Sequence, residues 1–277
     1  MRAMGRMKRA VLLCMAFVLL LSPIADCLAL LGGAIWPEAS GDTRRSNGSL
    51  VLDVSHMEDG YIMAKGPKTS KKLKLRIKKG DTTLNYDLNG KGEYEVIPLQ
   101  LGSGKYACTL YKNVSGKRYA EEGRVNLNVK LSDEHNAFLC PNQYVNYTQD
   151  SAAVSYATEL CQGKETPREK FEAISHFLRT GIVYDYVKMV TVQVGAMPDI
   201  EGTFSKRMGI CQDLAALAAC MLRSQGVPAK FMIGTVNETN YHAWVVVIID
   251  GEEILYDPTA ELNAIPADSE YVIERFY

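Results

Sequence analysis

The stretch GICQDLAALAACMLRSQGVPAKFMIGTV, residues 209–236, decides how this chain reads. Leu214, Leu217, Ala218, Met221 and Leu222 recur at helical spacing, Gly226 suits the left-handed position beyond a helix end, and Pro228 prevents continuation. A helix is therefore predicted over Gly209–Gln225, with Cys211 at its start. The first backbone N–H groups of a helix have no partner within it, and the dipole there is positive. That setting favours a thiolate and offers donors to a developing oxyanion. Cys220, in LAACML, falls mid-helix and reads as core.

Three strand-like runs follow: AKFMIGTV (229–236), HAWVVVII (242–249) and EEILYDP (252–258). The apolar run Val245–Ile249 marks a buried central strand. Asp250–Gly251 between the last two reads as a tight hairpin turn. His242 then opens one strand and Asp257 closes the next, near the same end of the hairpin. They lie 8 and 6 residues from the turn, an offset that a bulge or loop would absorb. Asp257 can hold the imidazole tautomer while His242 activates Cys211. Taken singly, a core cysteine, a structural histidine and a turn-forming aspartate are commonplace. Their order on helix, strand and strand points to nucleophilic catalysis. Trp244 shares a strand face with His242 and either walls the cleft or packs in the core. Tyr184 is a further cleft candidate. Asp185 beside it reads more simply as part of a connection.

Upstream, Thr166, Pro167 and Glu169 form an N-cap, a proline at the first helical position and a capping box. The helix they start carries Phe171, Ile174, Phe177 and Leu178 on one stripe and ends at Gly181. Its His176 reads as a surface or packing residue. Ala153, Val154, Ala157, Leu160 and Cys161 predict another helix before Gly163. Earlier still, about seven short alternating runs separated by turn residues read as a small β-sandwich. In KLKLRIK, Leu73, Leu75 and Ile77 are expected to face inward, and Lys72, Lys74, Arg76 and Lys78 outward. This basic face could meet an anionic wall polymer, though a solvated strand face is the simpler reading. Residues 44–130 carry 17 Lys+Arg against 9 Asp+Glu, whereas residues 131–277 carry 10 against 20. This charge reversal supports two domains within the 277 residues. The net charge of −1 gives no bias towards nucleic acid. Arg2, Arg6, Lys8 and Arg9 precede the apolar run Ala10–Leu21, which suits a signal peptide and is short for a membrane span. The expected organisation is a signal peptide over 1–29, a linker over 30–48, a β-sandwich-like domain over 49–131 and a catalytic domain over 132–277. The expected location is secreted or cell-surface, with the membrane met only through the N-terminal segment. Of seven cysteines, five lie beyond that segment, an odd number that leaves at least one thiol unpaired.

GICQDLAALAACMLRSQGVPAKFMIGTV, YHAWVVV and LYDPT together resemble the transglutaminase-like superfamily, a papain-like α+β group. IVYDY (182–186) is similar to the segment that precedes the cysteine in that family. The resemblance covers roughly Pro167–Thr259 and implies a papain-like catalytic domain with Cys211, His242 and Asp257 as its triad. A papain-type oxyanion glutamine six residues before the cysteine would fall on Ser205, so that role is not carried over, and Gln212 is the candidate substitute. The implied activity is thiol-dependent acyl transfer on a protein or peptide substrate, without metal or cofactor. Hydrolysis, as by a cysteine peptidase or amidase, is preferred because water is the abundant acceptor. The alternatives are a cross-linking transglutaminase, a catalytically inactive cell-surface binding module, and an amidase acting on cell-wall peptide.

Overall fold

The computed structural model describes residues 33–237, 240–263, 266 and 268–277. The expected signal segment, with Cys14 and Cys27, lies outside them. The first half is built from eight strands in two antiparallel sheets. β1 (Arg44–Asn47), β2 (Leu50–Asp53), β3 (Tyr61–Lys65) and β6 (Glu95–Pro98) form one, in the order β1-β2-β3-β6. β4 (Leu73–Lys79), β5 (Thr82–Leu88), β7 (Gly104–Ser115) and β8 (Arg118–Val129) form the other, in the order β5-β4-β7-β8. Leu73, Leu75 and Ile77 are buried as the alternation requires, while Lys74 pairs with Asp87 at 2.7 Å on the outer face. β1 is polar and exposed throughout, and it lies within the stretch read from sequence as linker.

The second half wraps one helix. α1 (Ala152–Leu160), α2 (Pro167–Gly181), α3 (Tyr186–Thr191) and α4 (Ile200–Lys206) lead to α5 (Cys211–Ser224). α2 begins with the anticipated capping box: Glu169 N–H donates to Thr166 Oγ1 at 3.2 Å, and Thr166 N–H donates to Glu169 Oε2 at 2.9 Å. α5 is buried on every side from Asp213 to Ser224, not along one stripe. Its alanines let α1, α2 and α4 approach one face while β11 (Ala229–Val236) and β12 (Asn240–Ile249) cover the other. The sheet beneath it has the order β13-β12-β11-β14, all antiparallel, with β13 at Glu252–Tyr256 and β14 at Tyr271–Phe276. A short helix α6 (Pro258–Asn263) follows β13, and β9 (Val183–Tyr184) pairs in parallel with β10 (Met208–Gly209). The β12–β13 turn has φ of 55° at Asp250 and 80° at Gly251, the left-handed pair that a two-residue hairpin turn of this twist requires.

One hydrophobic core runs through both halves, from Leu50 to Tyr277. At the junction the Gln100 side-chain amide donates to the Phe276 carbonyl at 2.5 Å and accepts from Tyr86 Oη at 2.9 Å. The Tyr277 ring meets Tyr86 edge-on and stacks on Tyr144. Arg223 on α5 is fully buried, and burial pulls its guanidinium below the usual arginine range. Its donors are satisfied by backbone oxygens of Ala229 (2.9 Å), Cys140 (2.7 Å) and Tyr277 (2.8 Å). One side chain thus ties the central helix to β11, to the segment between β8 and α1 and to the end of β14. Replacing it takes a charged donor from three buried oxygens, of which the Tyr277 oxygen keeps the Phe231 N–H at 2.7 Å, and each bond lost costs roughly 1–3 kcal/mol. Arg223→Ala is expected to lower unfolding stability by about 3 kcal/mol or more in urea titration, and a loss below about 1 kcal/mol would refute this anchoring role.

Candidate active site

α5 starts at Cys211 after an extended Ile210, whose side chain cannot cap. The cap comes instead from Asp213, a fully buried carboxylate. Its Oδ2 accepts from Ile210 N–H at 3.0 Å and pairs with Lys188 Nζ at 2.7 Å, and its Oδ1 accepts from Asp199 N–H at 3.1 Å. Asp213 thereby fixes the cysteine turn to α3 and to the start of α4. Gly209 is required just before this turn, because a Cβ there would stand 2.8 Å from Thr203 Cγ2 and 2.9 Å from Asp213 Cβ. Cys211 is partly exposed, whereas Cys108, Cys140, Cys161 and Cys220 are buried; all five described cysteines are free thiols. Burial raises Cys108 and Cys140 to about 12, so neither is disposed to ionise.

His242 and Asp257 do come together. His242 Nε2 and Asp257 Oδ2 are 2.7 Å apart, and both side chains are buried. The pairing of β12 with β13 runs without a shift from Ile249↔Glu252 to Val245↔Tyr256. Extending it places Asp257 opposite Trp244, so the expected bulge is unnecessary. Asp257 and His242 are diagonal neighbours on one face of the ribbon, and the uneven count from the turn is the diagonal itself. With Nε2 engaged, Nδ1 is the ring nitrogen left for the hydrogen bond that His242 makes with the Cys211 thiol. Burial alone would pull the imidazole down; the contacts with Asp257 and Cys211 outweigh it and raise His242 to about 9.

Asp257 has two further partners. Thr259 N–H donates to Oδ1 at 2.8 Å, and Tyr271 Oη donates to Oδ2 at 2.8 Å. Sequence reasoning missed Tyr271. Its strand carries no strong apolar alternation, and it reaches the site only by pairing across β11. The Tyr271 ring also covers Trp244, edge-on at 5.0 Å. Trp244 shares the His242 face as expected, with ring centroids 6.3 Å apart, but it is 1% exposed and does not line the cleft. It packs with Met232, Val246, Tyr271 and Phe276, so its cleft reading is corrected to that of a core wall behind the imidazole.

A cleft of about 920 Å³ opens over Cys211 and His242. Tyr184 and Gln212 line it. The Tyr184 hydroxyl lies in hydrogen-bonding contact with the Cys211 backbone, and burial raises it to about 12, which keeps it protonated. Gln212 Nε2 donates to the Ala196 carbonyl at 3.2 Å, which ties it to the 192–198 loop that also lines the cleft. Asp185 caps α3, accepting from Lys188 N–H at 2.7 Å, and His176 is on the surface beside Arg179. Among the described residues no group of three or more His, Cys, Asp or Glu is arranged to hold a metal ion, and no helix is long and apolar enough to cross a membrane.

Residues 154–258 match the family model described as the transglutaminase-like superfamily. Solved structures with a similar chain course include a provisional cysteine protease from Cytophaga hutchinsonii (14% identity, 76% of this chain and 80% of that chain, TM-score 0.39). Another is the periplasmic domain of TgpA from Pseudomonas aeruginosa (16% identity, 83% of this chain and 78% of that chain, TM-score 0.38). A third is red sea bream transglutaminase (13% identity, 74% of this chain and 48% of that chain, TM-score 0.30). No curated protein matches the sequence.

An imidazole near 9 in the folded chain and near 6.5 when unfolded binds more protons folded between those values. Its contribution to stability is complete below about pH 6.5 and is lost as pH rises through about 9. Asp257→Asn removes the main cause of that elevation. The stability gap between the native protein and this variant, measured by denaturant titration, is expected to narrow from pH 6.5 to pH 9. A gap that is constant or widens would contradict the assignment.

Proposed function

We propose that this chain, with its transglutaminase-like core over residues 154–258, is an exported enzyme of thiol-dependent acyl transfer acting on peptide or amide substrates. The carrying observation is the 2.7 Å His242–Asp257 bond beside a partly exposed thiol at a helix start. Cys211 is the nucleophile. Its proton rests on His242, whose imidazolium form the contacts with Asp257 and Cys211 favour, and its sulfur attacks the acyl carbon. The Tyr184 hydroxyl, in hydrogen-bonding contact with the Cys211 backbone, is the proposed donor to the oxyanion that develops. Collapse forms the thioester and breaks the C–N bond, and the imidazolium returns its proton to the departing amine. Asp257 holds the imidazole and stabilises its charged form. The neutral imidazole then takes a proton from water, which attacks the thioester and frees the acid and the thiol.

Water is the proposed acceptor, since the cleft over Cys211 is open to solvent. A fluorogenic peptide panel run beside an amine-incorporation assay is expected to show hydrolysis that disappears in Cys211→Ala. Amine incorporation without hydrolysis would reverse the choice of acceptor. Iodoacetamide labelling at mildly acidic pH checks the nucleophile itself. Cys211 is expected to react in preference to the four buried thiols, and the rate to fall at least roughly tenfold in His242→Ala. Labelling indifferent to that substitution would favour an inactive binding module.

A further inference from the structure

We infer, resting on the acyl-transfer reading, that the substrate is an acidic peptide whose carboxylate, close to the reacting amide, is bound by Arg275. The remaining walls of the cleft are apolar or neutral. Phe231, Ile233 and Val236 line it as buried side chains, and Met189, Val194 and Met197 line it as exposed ones. Among the described lining residues there is no Asp, Glu or Lys, and Arg275 is the one permanent charge beside His242. The cleft can therefore take an uncharged chain anywhere and an anion at one place.

Register puts that place near the chemistry. Arg275 pairs with Ile233 on β11, and Ile233 pairs with Ala243 on β12, next to His242. Directly paired residues share a sheet face, so Arg275 projects on the side where Ile233 and Ala243 line the cleft, opposite to the face of His242 and Trp244, and the cleft reaches both. Two strand spacings, roughly 10 Å of backbone and the length of about three extended residues, separate Arg275 from Ala243, the neighbour of His242 in the chain. The guanidinium is held ready. Nη2 donates to Tyr241 Oη at 2.7 Å, and among the described residues no carboxylate forms an ion pair with it. A planar guanidinium has further donors beyond the one engaged, and two parallel hydrogen bonds from such a fork suit a carboxylate and not an amide.

The test is a peptide panel in which Glu, Gln or Lys is moved through the three positions on either side of one amide, with consumption followed by mass spectrometry on the full chain. The native protein is expected to consume the Glu peptide roughly tenfold faster in kcat/KM than the Gln peptide in at least one position. In Arg275→Glu the order at that position is expected to invert in favour of Lys. Equal rates for Glu and Gln at every position, or a preference that survives Arg275→Glu, would overturn the inference. No turnover of any peptide, with His242-dependent alkylation of Cys211 intact, would overturn it while leaving the nucleophile standing. Loss of that alkylation as well would overturn both.

Discussion

A buried carboxylate organises this molecule. Asp257 is 5% exposed, and an ionised side chain at that depth is costly unless it is both hydrogen-bonded and paired. Its partners come from three places: the His242 imidazole on β12, the Thr259 amide at the start of α6 and the Tyr271 hydroxyl on β14. Satisfying one anion thus requires the hairpin, the helix after it and a strand from the far end of the chain to be in register together. The imidazole inherits the result. Its position, its tautomer and its elevated proton affinity follow from the carboxylate behind it.

The same logic explains why the last strand belongs to the site. β14 pairs with β11 through a register shift at Ile233/Gly234, and Gly234 permits it because a Cβ there would lie 1.9 Å from the Val272 carbonyl. Beyond the shift, β14 carries Tyr271 to Asp257; before it, Arg275 reaches the cleft. Arg223 and Gln100 hold the end of the strand from opposite sides, one from the central helix and one from the β-sandwich. We propose that the β half serves as a buttress for the strand that completes the active site, besides any binding of its own.

Much of this was legible in the sequence, and the parts that were not share a cause. Cys211, His242 and Asp257 stood out because a helix start and a two-residue hairpin are local patterns, and the spacing of residues within them fixes where side chains go. The capping box at Thr166 and the alternation of Leu73, Leu75 and Ile77 are local in the same sense. Tyr271 was invisible because its strand pairs with residues about forty positions earlier and shows no burial of its own along Val272–Arg275. Trp244 was placed on the correct face, but what covers it, Tyr271 and Phe276, comes from that unread strand. β1 escaped because all four of its residues are exposed and polar. α3, α4 and α6 run only six or seven residues, too short for periodicity to show. Sequence does not reveal the Ala196 carbonyl that one N–H of Gln212 engages.

The central claim is that Cys211, and no other thiol, accepts an acyl group under control of His242. The direct measurement is acid-quenched peptide mapping after brief exposure to p-nitrophenyl acetate, a donor that makes no demand on substrate specificity. The account predicts a burst of p-nitrophenolate equal to the enzyme concentration, an acetyl group on the peptide containing Cys211, and loss of both in His242→Ala. Acetylation spread over Cys108, Cys140, Cys161 and Cys220, or a burst unchanged in that variant, would contradict it.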